Sequence, residues 1–222
     1  MRKMKKNTNL LVLAFLCAVS NYSVAQDSNL GNWINYFGNK QFNSKWNLHH
    51  EVQYRNYNAI GDLEQLLLRT GLGYNLSETT NVLVGYGFIL SENYSEGSKE
   101  KTQVNEHRIY QQFISKQHFN WVSLQHRYRF EQRFVSEDFK LRFRYFLGLT
   151  IPLSKKETNK YYLSAYNEVF LNTKSSIFDR NRLYGGLGYH IHKNIRIEIG
   201  YMNQFFETTS RDQLNMMTFI NF

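Results

Sequence analysis

Between Trp121 and Ile151 every second residue is apolar and the residues between are mostly charged. Val122, Leu124, Tyr128 and Phe130 alternate with Gln125, Arg127, Arg129, Glu131 and Arg133. Then Leu141, Phe143, Tyr145, Leu147, Leu149 and Ile151 alternate with Arg142, Arg144 and Thr150. A period of two means a β-strand, because successive side chains leave a strand on opposite faces. The same period returns in Leu66, Leu68, Leu72, Tyr74 and Leu76, in Val82, Val84, Tyr86, Phe88 and Leu90, and in Ile195, Ile197, Ile199 and Tyr201. Gly71, Gly73, Gly85, Gly87, Gly186 and Gly188 share the opposite face of their strands, where small residues let a wall curve or leave room beneath it. Strands are expected near 31–42, 45–57, 64–76, 81–94, 103–117, 120–134, 139–152, 160–172, 179–191, 194–207 and 211–222. No helical pattern competes with them.

These segments are long for a soluble sheet and suit tilted bilayer crossings of roughly 9–11 residues plus overhang. The connections alternate as well. Those at 43–45, 77–80, 117–120 and 192–194 are short and polar, whereas 58–63, 92–102 and 173–178 are longer. An all-β, antiparallel up-and-down transmembrane barrel of 10–12 strands is therefore predicted, apolar outside and polar inside. Eleven candidates sit badly with the even strand number usual in bacterial barrels. Ten is favoured, with 31–42 outside the membrane wall; twelve would require a strand not recognised.

The first residues set the expected compartment. Arg2, Lys3, Lys5 and Lys6, the apolar run from Leu10 to Val19, and Ser23-Val24-Ala25 form the pattern of a cleaved secretory signal over 1–25. The barrel would then occupy 26–222 without a cysteine, since the lone Cys17 lies in the leader. Those four basic residues have no acidic partner in the leader, so the net charge falls from +9 to +5 (nine minus four) after its removal. That excess is too small to point to nucleic acid. No apolar run after residue 25 is long enough for a membrane helix, and the abundance of Tyr (16) and Phe (17) suits interfacial girdles.

The last strand alternates through Leu214, Met216, Thr218 and Ile220 to Phe222. It resembles the closing strand that outer-membrane proteins present to their insertion machinery. The chain as a whole resembles the domain of unknown function 2490 family of Gram-negative outer-membrane β-barrels. The likeness is carried by Gly31-Asn32-Trp33, Lys45-Trp46-Asn47-Leu48, Asn105-Glu106-His107-Arg108, His126 to Arg133, Asn167-Glu168, Arg180-Asn181-Arg182 and Gly185 to Tyr189. The resemblance implies a fold and an outer-membrane address, with lipids as surroundings. It implies no activity.

The inward set is the candidate site: Arg108, Arg127, Arg129, Glu131, Arg133, Arg142, Arg144, Glu168, Arg180 and Arg182. Arg55, Arg69, Arg196, Glu51, Glu106 and Glu198 share that face. On 103–117, Ile109 and Phe113 argue one way and Arg108 with Glu106 the other, which leaves its facing open. Two readings of the set stand side by side. It is either a packed network that plugs the lumen, or the wall of a narrow pore that favours small anionic solutes, since guanidinium forks match carboxylates and phosphates. A soluble lipocalin-like barrel would reverse the sidedness around a ligand. A lipid-modifying enzyme is the weakest reading, because no histidine has a serine two residues on. His49-His50-Glu51 and His190-Ile191-His192 fail as metal sites, the first because neighbouring strand residues point apart. No catalytic residue, metal or cofactor is expected, and a monomer is the default.

Overall fold

The structure, a computed structural model, describes residues 30–58, 61–95, 97–154, 160–174 and 176–222. The expected signal at 1–25, with Cys17, lies outside the described residues. Eleven strands are present: β1 (Gly31–Gln41), β2 (Trp46–Asn56), β3 (Leu63–Asn75), β4 (Thr80–Tyr94), β5 (Lys101–Phe119), β6 (Val122–Val135), β7 (Asp138–Pro152), β8 (Tyr161–Asn172), β9 (Phe178–His192), β10 (Ile195–Phe205) and β11 (Ser210–Asn221). Each pairs antiparallel with its sequence neighbour, and β1 closes the barrel against β11. Pro152 ends β7, where its missing N–H costs the ladder little.

The closure corrects the preference for ten strands. Segment 31–42 is a full member of the wall, paired with β2 on one side and with β11 from Gly31↔Gln213 to Asn39↔Asn221 on the other. That last pairing is parallel, unlike all the others. A meander reverses direction at every hairpin, so its first and eleventh strands point the same way. An odd barrel built by hairpins can close only through a parallel pair.

β1 and β11 both finish at what we call the near end, beside connections 42–45, 76–79, 120–121, 153–160 and 193–194. Connections 57–62, 95–100, 136–137, 173–177 and 206–209 form the far end, where β1 begins. The expected contrast in connection length holds only in part. Ser136–Glu137 is a two-residue turn at the far end, with Ser136 at φ 52°, and β7 and β8, which are eight residues apart in sequence, are joined across the near end. The 92–102 connection shrinks to 95–100 because β4 and β5 extend into it.

Burial alternates along the strands. Outward positions are apolar and open: Leu72, Val84, Leu183 and Ile199 are 48–60% exposed. Inward positions are polar and buried, among them Glu51, Arg69, Arg108, Gln112, Arg129, Glu131, Arg144 and Glu168. Glu106, Arg108 and Gln112 face in and Ile109 and Phe113 face out, which settles the facing of β5. Part of the inner wall is apolar. Trp33, Tyr184, Met202 and Met217 form a buried cluster with Phe37, Tyr166 and Phe219 packed against it, behind the β1–β11 seam.

The glycine stripe on β9 explains how tyrosines fit inside. A Cβ at Gly188 would collide with the Tyr162 ring, and one at Gly186 with the Tyr184 hydroxyl. Both rings lie across bare backbone, the close approach for which strand glycines are suited.

Candidate functional site

All ten predicted residues project into the lumen, and ion pairs join most of them near mid-height. Register places them in tiers, with Arg129 opposite Arg144 and Glu131 opposite Arg142 across β6 and β7. Glu131 has no solvent exposure. Its Oε2 accepts from Arg142 Nε and Nη2 at 3.0 and 2.6 Å, and its Oε1 from Arg144 Nη1 at 2.7 Å. Arg144 turns its Nη2 to Glu168 Oε1 at 2.7 Å, which also accepts from Arg127 Nη2 at 2.8 Å. Arg182 Nη1 lies 3.9 Å from the other oxygen of Glu168. Carboxylates between guanidiniums are the arrangement that permits charge in a dry interior.

The far half of the lumen is neutralised separately. Glu106 accepts from Arg108 and from Arg133, the latter at 2.6 and 2.9 Å. Asp179 accepts from Arg142 Nη1 at 3.0 Å and from Arg180 Nη2 at 3.2 Å. Its neighbours Phe178 and Arg180 pair with Leu171 and Phe170, and the register shift there leaves Asp179 outside the ladder. At the rim, partial burial pushes the Asp62 carboxyl up, but hydrogen bonds from Lys101 and Tyr94 outweigh it and hold Asp62 below the usual aspartate range.

Sequence reasoning missed the inward aromatic and amide residues. Phe170 is surrounded by guanidiniums: Arg144, Arg182 and Arg142 lie 4.4, 4.6 and 5.3 Å from its ring centre. Arg55 stacks on Trp33 at 3.7 Å. Gln112 accepts from Arg129 at 2.6 and 2.9 Å, Gln65 from Arg55 at 2.7 Å, and Gln204 from Arg182 at 2.9 Å. Strand parity was the available signal, since Phe170 shares a face with Glu168, and Gln112 with Arg108.

Between this network and the near mouth lies a cavity of about 560 Å³. Arg69, Arg127, Arg129, Arg144 and Glu168 line its depth, and Lys116, His118, Lys193 and Arg196 line it towards the mouth. No cluster of three or more metal-ligating side chains occurs among the described residues. His49 bonds Glu51 at 3.3 Å, whereas His50 lies against Tyr36 and Phe222, so the pair divides between faces as expected.

No solved structure matches the chain significantly. An uncharacterised protein of Methylorubrum extorquens is 31% identical over 217 residues, covering 90% of each chain. The family model described as "Protein of unknown function (DUF2490)" matches residues 30–215. Together with the barrel and its charged lumen, that match over most of the sequence shows that the chain belongs to this family.

Proposed function

We propose that this protein is an exported outer-membrane β-barrel whose lumen is plugged at mid-height by the Arg/Glu network. It is non-catalytic, and it serves as a structural barrel with a blind vestibule at the near end. The sidedness of the wall carries the reading. Apolar side chains point out and charges point in, the reverse of a lipocalin-like barrel.

Three further features support it. Exposed aromatics occur at both ends, with Trp46, Phe119, Trp121 and Tyr161 near and Tyr94, Phe134, Phe139 and Phe205 far, and Tyr86 and Tyr128 between them. Interfacial girdles have the placement of the two end groups. Outward polar side chains bond one another, as Gln111 with Gln132 at 3.0 Å and Asn167 with Asn181 at 2.7 Å. The closed barrel leaves no bare sheet edge, as a lipid environment demands. On this reading β11 would engage the insertion machinery, and the near end would face the periplasm.

Cell fractionation followed by planar-bilayer recording tests the proposal. The expected result is recovery with outer membranes, heat-modifiable gel mobility and no steady current. Recovery in the soluble periplasm overturns the membrane reading. A steady anion-selective current overturns the plug and supports the narrow pore instead.

A further inference from the structure

The near-end cavity has two chemically different walls. On one side, Lys116, Arg127, Arg129 and Arg144 come from β5, β6 and β7. On the other, the seam strands contribute Trp33, Phe37, Met217 and Phe219, with the Phe37 and Phe219 rings stacked at 5.0 Å.

The charges are unevenly matched. Among the described residues no carboxylate lies within 4 Å of Lys116 or Arg196, although both line the cavity. Arg129 spends two of its donors on the neutral Gln112, and its nearest carboxylate oxygen is 3.7 Å away. In the far half, by contrast, Arg108 and Arg133 share Glu106, and Arg142 and Arg180 share Asp179.

Five buried N–H groups on lining residues make no hydrogen bond: Trp33 Nε1, Arg69 Nε, Arg127 Nε, Arg129 Nη1 and Asn215 Nδ2. Trp33, Arg69, Arg129 and Asn215 are each more than nine-tenths buried. Buried donors ordinarily have acceptors, and leaving them without one is costly. Unpaired donors thus outnumber the one unpaired acceptor of the lining, Asn35 Oδ1, and they are spread over β1, β3, β6 and β11 around the cavity.

We propose that the cavity binds a small organic anion, a carboxylate or phosphate head on an aromatic or aliphatic body. The head would sit against Arg127 and Arg129, and the body against Phe37, Met217 and Phe219. Lys116 and Arg196 would draw it in through the mouth by charge. The volume is in the range of small-molecule sites. The proposal deepens the plugged-barrel reading and rests on it, since the mid-lumen network makes the vestibule blind and would hold the ligand on one side of the wall.

Calorimetric titration of the detergent-purified full chain with phenyl phosphate, inorganic phosphate and benzyl alcohol tests this. Phenyl phosphate should bind, inorganic phosphate should bind more weakly, and benzyl alcohol should give no signal. Arg129→Gln should weaken phenyl phosphate by about ten- to a hundredfold, the scale of one charged hydrogen bond. Should that variant fail to fold, Arg196→Gln at the mouth provides the same test with a smaller expected loss. Lys140→Gln, in the exposed Lys140–Asp138 pair of the far end, should leave binding unchanged.

Absence of phenyl phosphate binding to a heat-modifiable barrel overturns the inference. So does binding no tighter than that of inorganic phosphate, or binding indifferent to both Arg129→Gln and Arg196→Gln. The two proposals fail separately. A conducting barrel defeats the plug whatever phenyl phosphate does, and a silent barrel that ignores phenyl phosphate defeats the site alone.

Discussion

Phe170 and Glu131 together explain how so many arginines share one lumen. The Phe170 ring offers its negative face to three guanidiniums, each also bonded to a carboxylate or an amide oxygen. Glu131 serves two of the three. Glu131→Gln keeps the shape but removes the charge, leaving Arg142 with Asp179 and Arg144 with Glu168 as their remaining carboxylates and the centre of the network with an excess of positive charge. Loss of one partner from a buried ion network costs about 3–5 kcal/mol. The urea midpoint of the detergent-folded barrel should fall accordingly. Asp138→Asn at the rim, where Asp138 and Lys140 are both about half exposed, should change stability by less than about 1 kcal/mol. Equal effects from the two variants would show that the network contributes no more than a surface pair.

Among the elements, β1 decides the architecture. Its inward residues, Trp33, Asn35 and Phe37, are less charged than those of β6 and β7, and the even strand number usual in bacterial barrels leaves it outside the predicted wall. In the barrel it covers the edges of both β2 and β11. Ile34 lies opposite Met216 across the parallel seam, and both are outward and 43–47% exposed. Neighbouring strands stand about 4.8 Å apart, within the reach of a disulfide. Mild oxidation of an Ile34→Cys/Met216→Cys double variant should therefore form an internal disulfide, seen as a shift in non-reducing gel mobility. A ten-strand barrel closed by β2 against β11 would leave the two cysteines unlinked. The expected mature chain holds no other cysteine to confuse the result.

At the scale of the whole molecule, an odd strand number places the start of β1 and the end of β11 on opposite sides of the wall. The far connection 95–100 and the near connection 193–194 are separated in the same way. In intact cells a membrane-impermeant maleimide should label Ser98→Cys and spare Lys193→Cys until the outer membrane is opened. Labelling of Lys193→Cys alone would invert the proposed orientation, and equal labelling of both in intact cells would remove the membrane barrier between them. The near-end vestibule follows whichever side Lys193 occupies.

Much of the barrel could be read from the chain without coordinates. Period two placed the strands to within a few residues and sorted the candidate residues onto one face, except Arg108, whose strand kept two possible facings until the structure turned it inward. It did so because side-chain alternation is a local property of extended backbone. Three features escaped it. Asp179 reaches the lumen only through a register shift between β8 and β9, which reverses its facing. The partner of each arginine depends on which strands stand across the lumen, as where Arg127 on β6 meets Glu168 on β8, 41 residues away. The inner apolar strip arises only where β1 comes to lie beside β11.

The sequence by itself determined that this is a sheet with one charged face and one apolar face, and which residues belong to each. The tertiary structure decided that eleven strands close through a parallel seam, that the charged face is turned inward and largely neutralised, and that one end keeps a basic vestibule. The reason is range. Alternation is written between residues two apart, whereas closure brings Asn35 to Asn215 across 180 residues, and no local pattern encodes that meeting.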